Sequence, residues 1–262
     1  MKINTGTLLD YLNVTLENSN NHVQEHPQLM NLVLQMDLIF QKEIFDHEFE
    51  VNPIAGLLAM NYYTQLLSAV NLALPGNQAA IFPNVRTALE SACYAYLIAH
   101  NKAMAEVWLN RHTTKNSLDK CRKIFSVKKA SNDLKNLSPE MAEYVMAHYN
   151  AAIDFGAHPN RKAIFHHLTD MGEVDERHHG FELTCVYGRN SWHVNYALLI
   201  CTEIGQAIAF LPAACTEKHL LIHDRLEVFE SWIDEKNQMA EKMNSEPLDY
   251  SGPMYCSVIP PE

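Results

Sequence analysis

One long apolar stretch, from Phe82 to His100, constrains the fold more than any other part of the sequence. Its apolar residues recur at close to helical spacing, and few polar residues interrupt them. A helix that is apolar on nearly every side has to be covered by several other elements. Arg86 and Glu90 interrupt this surface four residues apart, so they share a face and can pair with each other or with a neighbouring helix.

Start and stop signals divide much of the remaining chain into further helices. Asn52-Pro53 is typical of a helix start and Pro75-Gly76 of a stop, and Ser138-Pro139 is a second start signal. Asn101 can cap a short helix that follows it. The apolar periodicity predicts helices over residues 26–45, 53–74, 102–112, 139–156, 191–211 and 216–242.

The helical period is lost after residue 158. Alternating apolar residues over Ala163–Leu168 and Phe181–Tyr187 predict two strands, with Met171-Gly172 and His179-Gly180 as candidate turns. The sequence therefore predicts an all-α fold, a multi-helix bundle with a small β-hairpin insertion around residues 162–188.

The same patterns suggest three regions. Residues 1–25 are polar and weakly periodic, which predicts an N-terminal arm or a short lead-in helix. Residues 26–242 form the predicted helical domain. Residues 243–262 are rich in proline and turn formers, which predicts an extended C-terminal tail.

Composition places the chain in the cytoplasm. The six cysteines contain no C-x-x-C pair, which favours reduced thiols over a disulfide framework or a zinc ribbon. The first residues lack the apolar core of a secretory signal. Val194–Cys215 approaches the length of a membrane span, but Asn195, Glu203 and Gln206 fall inside it, and a carboxylate near the middle of a bilayer is costly. We therefore expect a buried core helix there and no membrane partner.

The formal net charge of -11 is unevenly distributed. Residues 111–135 hold eight Lys and Arg side chains against two acids, about +6, which leaves about -17 for the rest of the chain. This basic segment could face phosphate or nucleic acid. A solvated face that balances acidic neighbours, or that meets a second subunit, is the favoured interpretation, and we expect a homo-oligomer.

Histidines are the main candidates for chemistry. Imidazole is a common general base near neutral pH and a common metal ligand. On a hairpin, however, paired histidines are more often solvated polar side chains, and no nucleophile is spaced with these. Seven of the fourteen lie in one region: His148, His158, His166, His167, His178, His179 and His193.

His219 and His223 form a separate candidate. On one helix they would share a face, with Glu227 one turn further on, which is a geometry that zinc sites use. Leu220 stands where metalloproteases carry a glutamate, so this metal site is a less favoured interpretation. The chain has no phosphate-binding loop, dinucleotide fingerprint or nucleophile elbow, and no cofactor is predicted.

Two short motifs carry a resemblance. The segment FPNVRTALESACYAYLIAH, followed by VWLNR and later by Tyr149 and DFGAHPN, resembles an uncharacterised bacterial helical domain family over roughly residues 55–215. That family pairs an Arg-x-x-x-Glu helix with a second helix that ends at a His-Pro-Asn turn, here His158 to Asn160. The resemblance implies a helical bundle in which Arg86, Glu90 and His158 meet in one polar cluster.

More remotely, the arrangement is similar to the higher-eukaryote and prokaryote nucleotide-binding helical domains. Some of these cut RNA without a metal ion, using an Arg and a His with four to six residues between them at the start of a helix. Arg161 and His166 fit that spacing, although the sequence predicts a strand or turn there. The resemblance implies that Arg161 and His166 are catalytic.

Three functional interpretations follow. The leading one is a soluble, noncatalytic binding or interaction protein, in bacterial stress or defence, whose ligand meets Arg86, Glu90, Tyr149, His158 and Asn160. For the same cluster a buried ion-pair network that fixes helix register is a structural alternative. The runner-up is a metal-independent ribonuclease that uses Arg161 and His166. The third is a metal-dependent hydrolase centred on His219 and His223.

Overall fold

The chain folds as an all-α bundle with a small antiparallel β-hairpin, so the predicted fold class is confirmed. The hairpin lies between a short helix that begins at Arg161 and the long helix that begins at Trp192. The structure is a computed structural model, and it describes residues 5–46, 51–159, 161–216, 219, 221, 224–244 and 247–258.

Two helices continue into π-helical turns: Met30–Leu38 continues into Ile39–Phe45, and Pro139–Ala152 continues into Ile153–Ala157. Short 3-10 turns lie at Gln78–Ala80 and Met254–Cys256. The described helices and strands are α1 (Leu8–Gln24), α2 (Met30–Leu38), α3 (Pro53–Ala73), α4 (Ile81–His100), α5 (Ala103–Leu109), α6 (Lys115–Ile124), α7 (Val127–Leu134), α8 (Pro139–Ala152), α9 (Arg161–Phe165), β1 (Leu168–Asp175), β2 (His178–Leu183), α10 (Trp192–Ala213) and α11 (Leu226–Met243).

Side-chain caps determine where several helices begin, and two of them, Asn52 and Ser138, lie at start signals that the sequence predicted. The Asn52 side chain accepts a hydrogen bond from the Ile54 amide, and Pro53 is the first residue of α3. Ser138 and Ser191 accept bonds from amides in the first turns of α8 and α10 in the same way. These side chains satisfy amide groups that have no partner within the helix, so local sequence is enough to fix these starts.

Helices α4 and α10 share the centre of the bundle. The helix predicted over Phe82–His100 is α4, and it is covered by α3, α7, α8 and α10. Helix α10 also contacts α2 and α11. Within the described residues, α10 is the one helix long and apolar enough to cross a membrane, and 89% of its apolar stretch is buried inside the protein. This burial matches the core helix that the sequence predicts.

A buried ion pair lies in the middle of α10. Lys236 of α11 donates a hydrogen bond to Glu203 Oε1 at 2.9 Å, and both side chains are at most 2% exposed. Tyr144 of α8 donates to the same oxygen, and the Tyr255 amide donates to Oε2 at 3.3 Å. Burial alone would raise the pKa of Glu203, but the Lys236 ammonium, the nearby His148 and the Tyr255 amide lower it below its ordinary value.

The predicted hairpin exists, but its strands were misplaced. Residues 163–165 belong to α9 and not to a strand. Strand β1 includes Met171 and Gly172, where a turn was predicted. The chain reverses between Asp175 and His178 instead, and β2 ends at Leu183. Apolar residues on both faces of a mostly exposed hairpin blur the alternation, which is why the pattern gave the wrong boundaries.

The last predicted helix was also placed wrongly. Asp224 and Arg225 are not helical, and α11 begins at Leu226 rather than near residue 216. At this break, Arg225 pairs with Glu43 of the π-helical turn at 2.9 Å. The helix before it runs through Pro212 to Ala213, since a proline in the last turn removes few of the helix's hydrogen bonds.

Both predicted terminal regions contain ordered elements. The N-terminal arm includes α1, which starts with a capping box between Thr7 and Asp10. The described part of the C-terminal tail includes the 3-10 turn and buries Met254, Tyr255 and Val258 in the core. The tail is therefore part of the packing around Glu203.

Replacing Lys236 by methionine tests the buried ion pair. Lys236→Met leaves the Glu203 carboxylate buried without its counter-charge, and we expect a loss of about 3–5 kcal/mol in the free energy of unfolding. The measurement is urea unfolding followed by circular dichroism. Lys242→Met, an exposed change on the same helix, is the control and should be nearly neutral. The double variant Glu203→Gln/Lys236→Met should recover part of the loss, and no recovery would contradict the assignment.

Candidate functional site

Arg86 is the centre of the polar cluster that the sequence predicted. Its Nε donates to Glu90 at 3.1 Å, its Nη1 contacts His158 Nε2 at 2.7 Å and its Nη2 donates to the Tyr149 hydroxyl at 3.3 Å. The guanidinium also lies over the Tyr149 ring, 5.4 Å from its centre. The structure thus brings together four of the five predicted ligand-binding residues; Asn160, the fifth, lies outside the described residues.

The partners of Arg86 act on its guanidinium in different ways. An arginine N–H can only donate, so His158 Nε2 accepts this hydrogen bond. Burial alone would lower the pKa of Arg86, but Glu90 and Tyr149 raise it. Burial and the nearby Glu90 raise the pKa of the Tyr149 hydroxyl. The cluster is therefore an Arg–Glu ion pair with two further hydrogen-bond partners, Tyr149 and His158.

All three guanidinium nitrogens of Arg86 bind side chains of this chain, and the Arg86 and Glu90 side chains are 24% and 26% exposed. The bonds join α4 to α8 and to the segment that follows the π-helical turn. Such an arrangement fixes the position of that segment, and it leaves little of the guanidinium to bind a ligand. Ligand binding by this cluster stays a prediction.

A second contact holds the same segment against α4. Phe82, four residues before Arg86 and on the same helix face, stacks on Phe155 with ring centres 6.1 Å apart. Gly156 makes this approach possible, because a Cβ there would lie 2.5 Å from the Phe82 ring. Together, Arg86 and Phe82 fix the chain from Ile153 to His158.

The segment held in this way forms one side of a cleft of about 500 Å³. The described residues that line it contribute two aromatic rings, a guanidinium and an imidazole: Phe155, Arg161, Phe165 and His166. Arg161 lies 5.4 Å from the centre of the Phe165 ring, and Phe165 is 58% exposed. The sequence motif predicted Arg161 and His166 as a pair, and both line this cleft. The two phenylalanines were missed, because no short motif marks them.

Next to the cleft, three histidines pack with aromatic rings. The His166 ring contacts His167 and Tyr196, and His193 stacks on Tyr187 with ring centres 3.7 Å apart. Burial lowers the pKa of His166 from its ordinary value. Burial, and then the nearby His166, lower the pKa values of His167 and His193 to about 4. At neutral pH all three imidazoles are therefore uncharged.

The remaining predicted histidines do not join this group. His178 and His179 lie exposed on the hairpin, hydrogen-bonded to Asp175 and Asp170 at 2.8 and 2.6 Å. His148 is fully buried against Tyr255, and burial lowers its pKa to about 4. These positions are consistent with structural roles.

Only one histidine of the predicted metal pair lies within the described residues, and it is not in a helix, so the metal site stays a prediction. His219 is buried and accepts a hydrogen bond from the Leu221 amide, while His223 lies outside the described residues. Glu227 belongs to α11, beyond the break at Asp224 and Arg225. Among the residues that the structure describes, no three His, Cys, Asp or Glu side chains are grouped as a metal ion would need.

The basic segment lies away from the cleft. Its helices α6 and α7 bury Phe125, whose ring contacts Tyr94 on α4 with centres 5.2 Å apart. Tyr94 is twelve residues after Phe82, which is about 18 Å along the helix axis. The lysines and arginines of α6 and α7 are exposed, so binding of phosphate or nucleic acid at residues 111–135 would use a different surface.

Comparison with known proteins adds no relative. No protein-family model matches the chain, and no curated protein or solved structure is detectably similar to it. The two resemblances therefore rest on the residues quoted above and stay predictions.

Removing the Arg86 side chain tests its role. Arg86→Gln breaks the bonds to Glu90, Tyr149 and His158, and we expect it to lower the free energy of unfolding by about 1–3 kcal/mol. Lys129→Gln is the matched control, because it breaks the exposed Lys129–Asp133 pair at the same i, i+4 spacing and should cost less than about 1 kcal/mol. Urea unfolding measures both, and equal effects would show that the Arg86 cluster does not hold the segment.

Proposed function

We propose that this protein is a noncatalytic binding protein that holds a small, ring-bearing anion in the cleft. The observation that supports this most is the lining itself, in which Phe155 and Phe165 flank Arg161 and His166 around about 500 Å³. That volume lies in the range of small-molecule sites, which combine apolar walls with a few polar groups.

The lining indicates what kind of ligand fits. An aromatic ring that is 58% exposed, as Phe165 is, offers a face on which a flat ring can stack. Arg161 can bind an anionic group while its guanidinium stays over that ring. His166, uncharged at neutral pH, contributes a hydrogen bond rather than a charge. A nucleotide base with its phosphate combines these features.

Charge around the cleft favours a single nucleotide over a long polymer. The hairpin that follows α9 carries five acidic residues against Arg177 alone, so a polyanion lying along it would be repelled. A ligand with one anionic group can reach Arg161 without crossing the hairpin. We place this binding in the cytoplasm, because Cys93, Cys121, Cys185 and Cys201 are free thiols.

Titration with AMP tests this proposal. We expect binding by isothermal titration calorimetry, weakened at least about tenfold by Arg161→Gln through loss of the phosphate contact. Phe165→Ala should weaken it through loss of stacking. Adenosine and ribose 5-phosphate, which each lack one of the two features, should bind more weakly than AMP.

Arg177→Gln is the matched control, since it removes an exposed arginine from the hairpin tip. It should change the affinity for AMP by less than about twofold in either direction. If AMP does not bind the wild type, or binds Arg161→Gln equally well, the cleft is not a nucleotide site.

A metal-independent ribonuclease is the second candidate, and one observation favours it. Arg161 is the first residue of α9, the helix-start position that the resembled nucleases use, and the chain places His166 in the same cleft. His166 is uncharged at neutral pH, as a general base has to be. The acidic hairpin beside the cleft makes this the less favoured function.

Incubation with single-stranded RNA in the presence of EDTA tests the second candidate. Wild-type protein should cleave the RNA, and His166→Ala should cleave it at least about a hundredfold more slowly because it lacks the general base. His178→Ala, which removes an exposed hairpin histidine, should retain full activity. Equal cleavage by wild type and His166→Ala, or cleavage by neither, would rule out this function.

A further inference from the structure

Helix α1 is attached to the bundle by polar groups and not by apolar ones. Among its residues, Asn18 and His22 are the buried ones. Asn18 donates hydrogen bonds to the carbonyl groups of Pro75 and Tyr187 at 2.9 and 3.0 Å, and His22 Nδ1 donates to the Leu74 carbonyl at 2.7 Å. The face that a surface helix normally buries is apolar, so α1 reverses the usual arrangement.

The apolar side chains of α1 face solvent instead. At 100° per residue, Leu9, Leu12, Leu16 and Val23 fall within about 60° of one another, and the centre of this set is about 130° around the helix from the face that contacts the bundle. This set, with Leu8 at its edge, is called the α1 stripe below. Its exposed fractions are large: Leu8 74%, Leu9 65%, Leu12 50%, Leu16 61% and Val23 72%.

The spacing of the α1 stripe is that of a coiled-coil seam. Leu9, Leu12, Leu16, Ser19 and Val23 are separated by three, four, three and four residues, the a and d positions of successive heptads. This period is what two helices need to interlock along one line. The pattern indicates a partner helix rather than a flat or irregular surface.

Charge indicates that the partner helix is a second copy. The positions beside the seam, which set partner choice in coiled coils, hold Leu8, Asn13, Thr15, Asn20 and His22, and none of these is Asp, Glu, Lys or Arg. His22 is directed to the bundle by its hydrogen bond to the Leu74 carbonyl. Two identical helices can therefore meet without repulsion, although each chain carries a net charge of -11.

The two acids of α1 do not oppose this pairing. Asp10 and Glu17 project from the side of the helix away from the α1 stripe. The Asp10 carboxylate is already held by the Thr7 amide and hydroxyl at 2.8 and 2.6 Å.

A membrane surface is a poorer match for the α1 stripe. Helices that lie on membranes carry Lys and Arg on their polar face, and residues 8–24 contain neither. The exposed area of the α1 stripe also fits a pair of chains. The stripe exposes roughly 500 Å², so two copies would bury roughly 1,000 Å², which is near the lower limit of a specific interface.

We propose that two copies of this chain associate through their α1 helices, with the α1 stripe of each packed against that of the other. The contact is isologous, because the same surface is used on both copies, and Leu16 lies at its middle. It forms on the far side of α1 from Asn18 and His22, so dimerisation leaves the attachment of α1 to the bundle in place. The proposal is independent of the ligand in the cleft.

Sedimentation equilibrium over a concentration series tests the dimer. The wild type should show a monomer–dimer equilibrium, and Leu12→Glu/Leu16→Glu should raise the dissociation constant at least about a hundredfold, because two carboxylates on each copy would enter the seam. Val14→Glu/Gln24→Glu is the matched control. It adds the same two charges to exposed positions of α1 outside the stripe, and it should change the dissociation constant less than about threefold.

A cross-linking experiment covers the case in which the charged variant fails to fold. Leu16→Cys should form a disulfide-linked dimer under mild oxidation by copper phenanthroline much faster than Val14→Cys does. Wild-type protein that is monomeric at every concentration, or equal cross-linking at residues 14 and 16, would overturn the proposal. Flotation of such a monomer with phosphatidylcholine vesicles would then assign the α1 stripe to a lipid surface.

Discussion

The Glu203–Lys236 ion pair is the interaction on which the packing of the bundle depends. Removing two charges from water is costly, and the cost is offset only where each charge is fully hydrogen-bonded. Glu203 meets this condition by collecting donors from three other parts of the chain: Lys236 of α11, Tyr144 of α8 and the Tyr255 amide of the C-terminal tail. Each of these elements has to be in register with α10 for the carboxylate to be satisfied. The pair thus specifies one arrangement among the many that an apolar core alone would allow.

Polar side chains also determine where the outer parts of the molecule lie. Arg86 fixes the segment between α8 and α9, and Asn18 and His22 fix α1 against the end of α3 and the loop before α10. In each case hydrogen bonds, which depend strongly on direction, set a position that hydrophobic contact would leave loose. For Arg86 the result is a fixed wall for the cleft. For α1 it is an apolar stripe that is free to meet another chain.

The sequence predicted those features whose causes are close together along the chain. The caps at Asn52 and Ser138 and the Arg86–Glu90 pair depend on residues within four positions of each other, and the structure contains all of them. The Glu203–Lys236 pair joins residues 33 apart, so Glu203 could be seen only as an interruption of an apolar helix. The contact between Arg225, at the break before α11, and Glu43 joins residues that are still further apart. The cleft-lining rings Phe155 and Phe165 likewise become recognisable only when the fold brings them together.

Under the proposed function, the cleft and the hairpin together would define which ligands the site accepts. Arg161 supplies one positive charge beside two aromatic rings, and the hairpin that follows it carries an excess of negative charge. A bound nucleotide would gain from Arg161 only while its own anionic group stayed on the α9 side, because each further phosphate would approach the acidic hairpin. The hairpin would then exclude long polyanions by repulsion rather than by shape, which is selectivity by rejecting partners as well as attracting them. Since both faces of the hairpin are largely exposed, its carboxylates are screened by salt, and discrimination between a mononucleotide and an oligonucleotide should weaken as ionic strength rises.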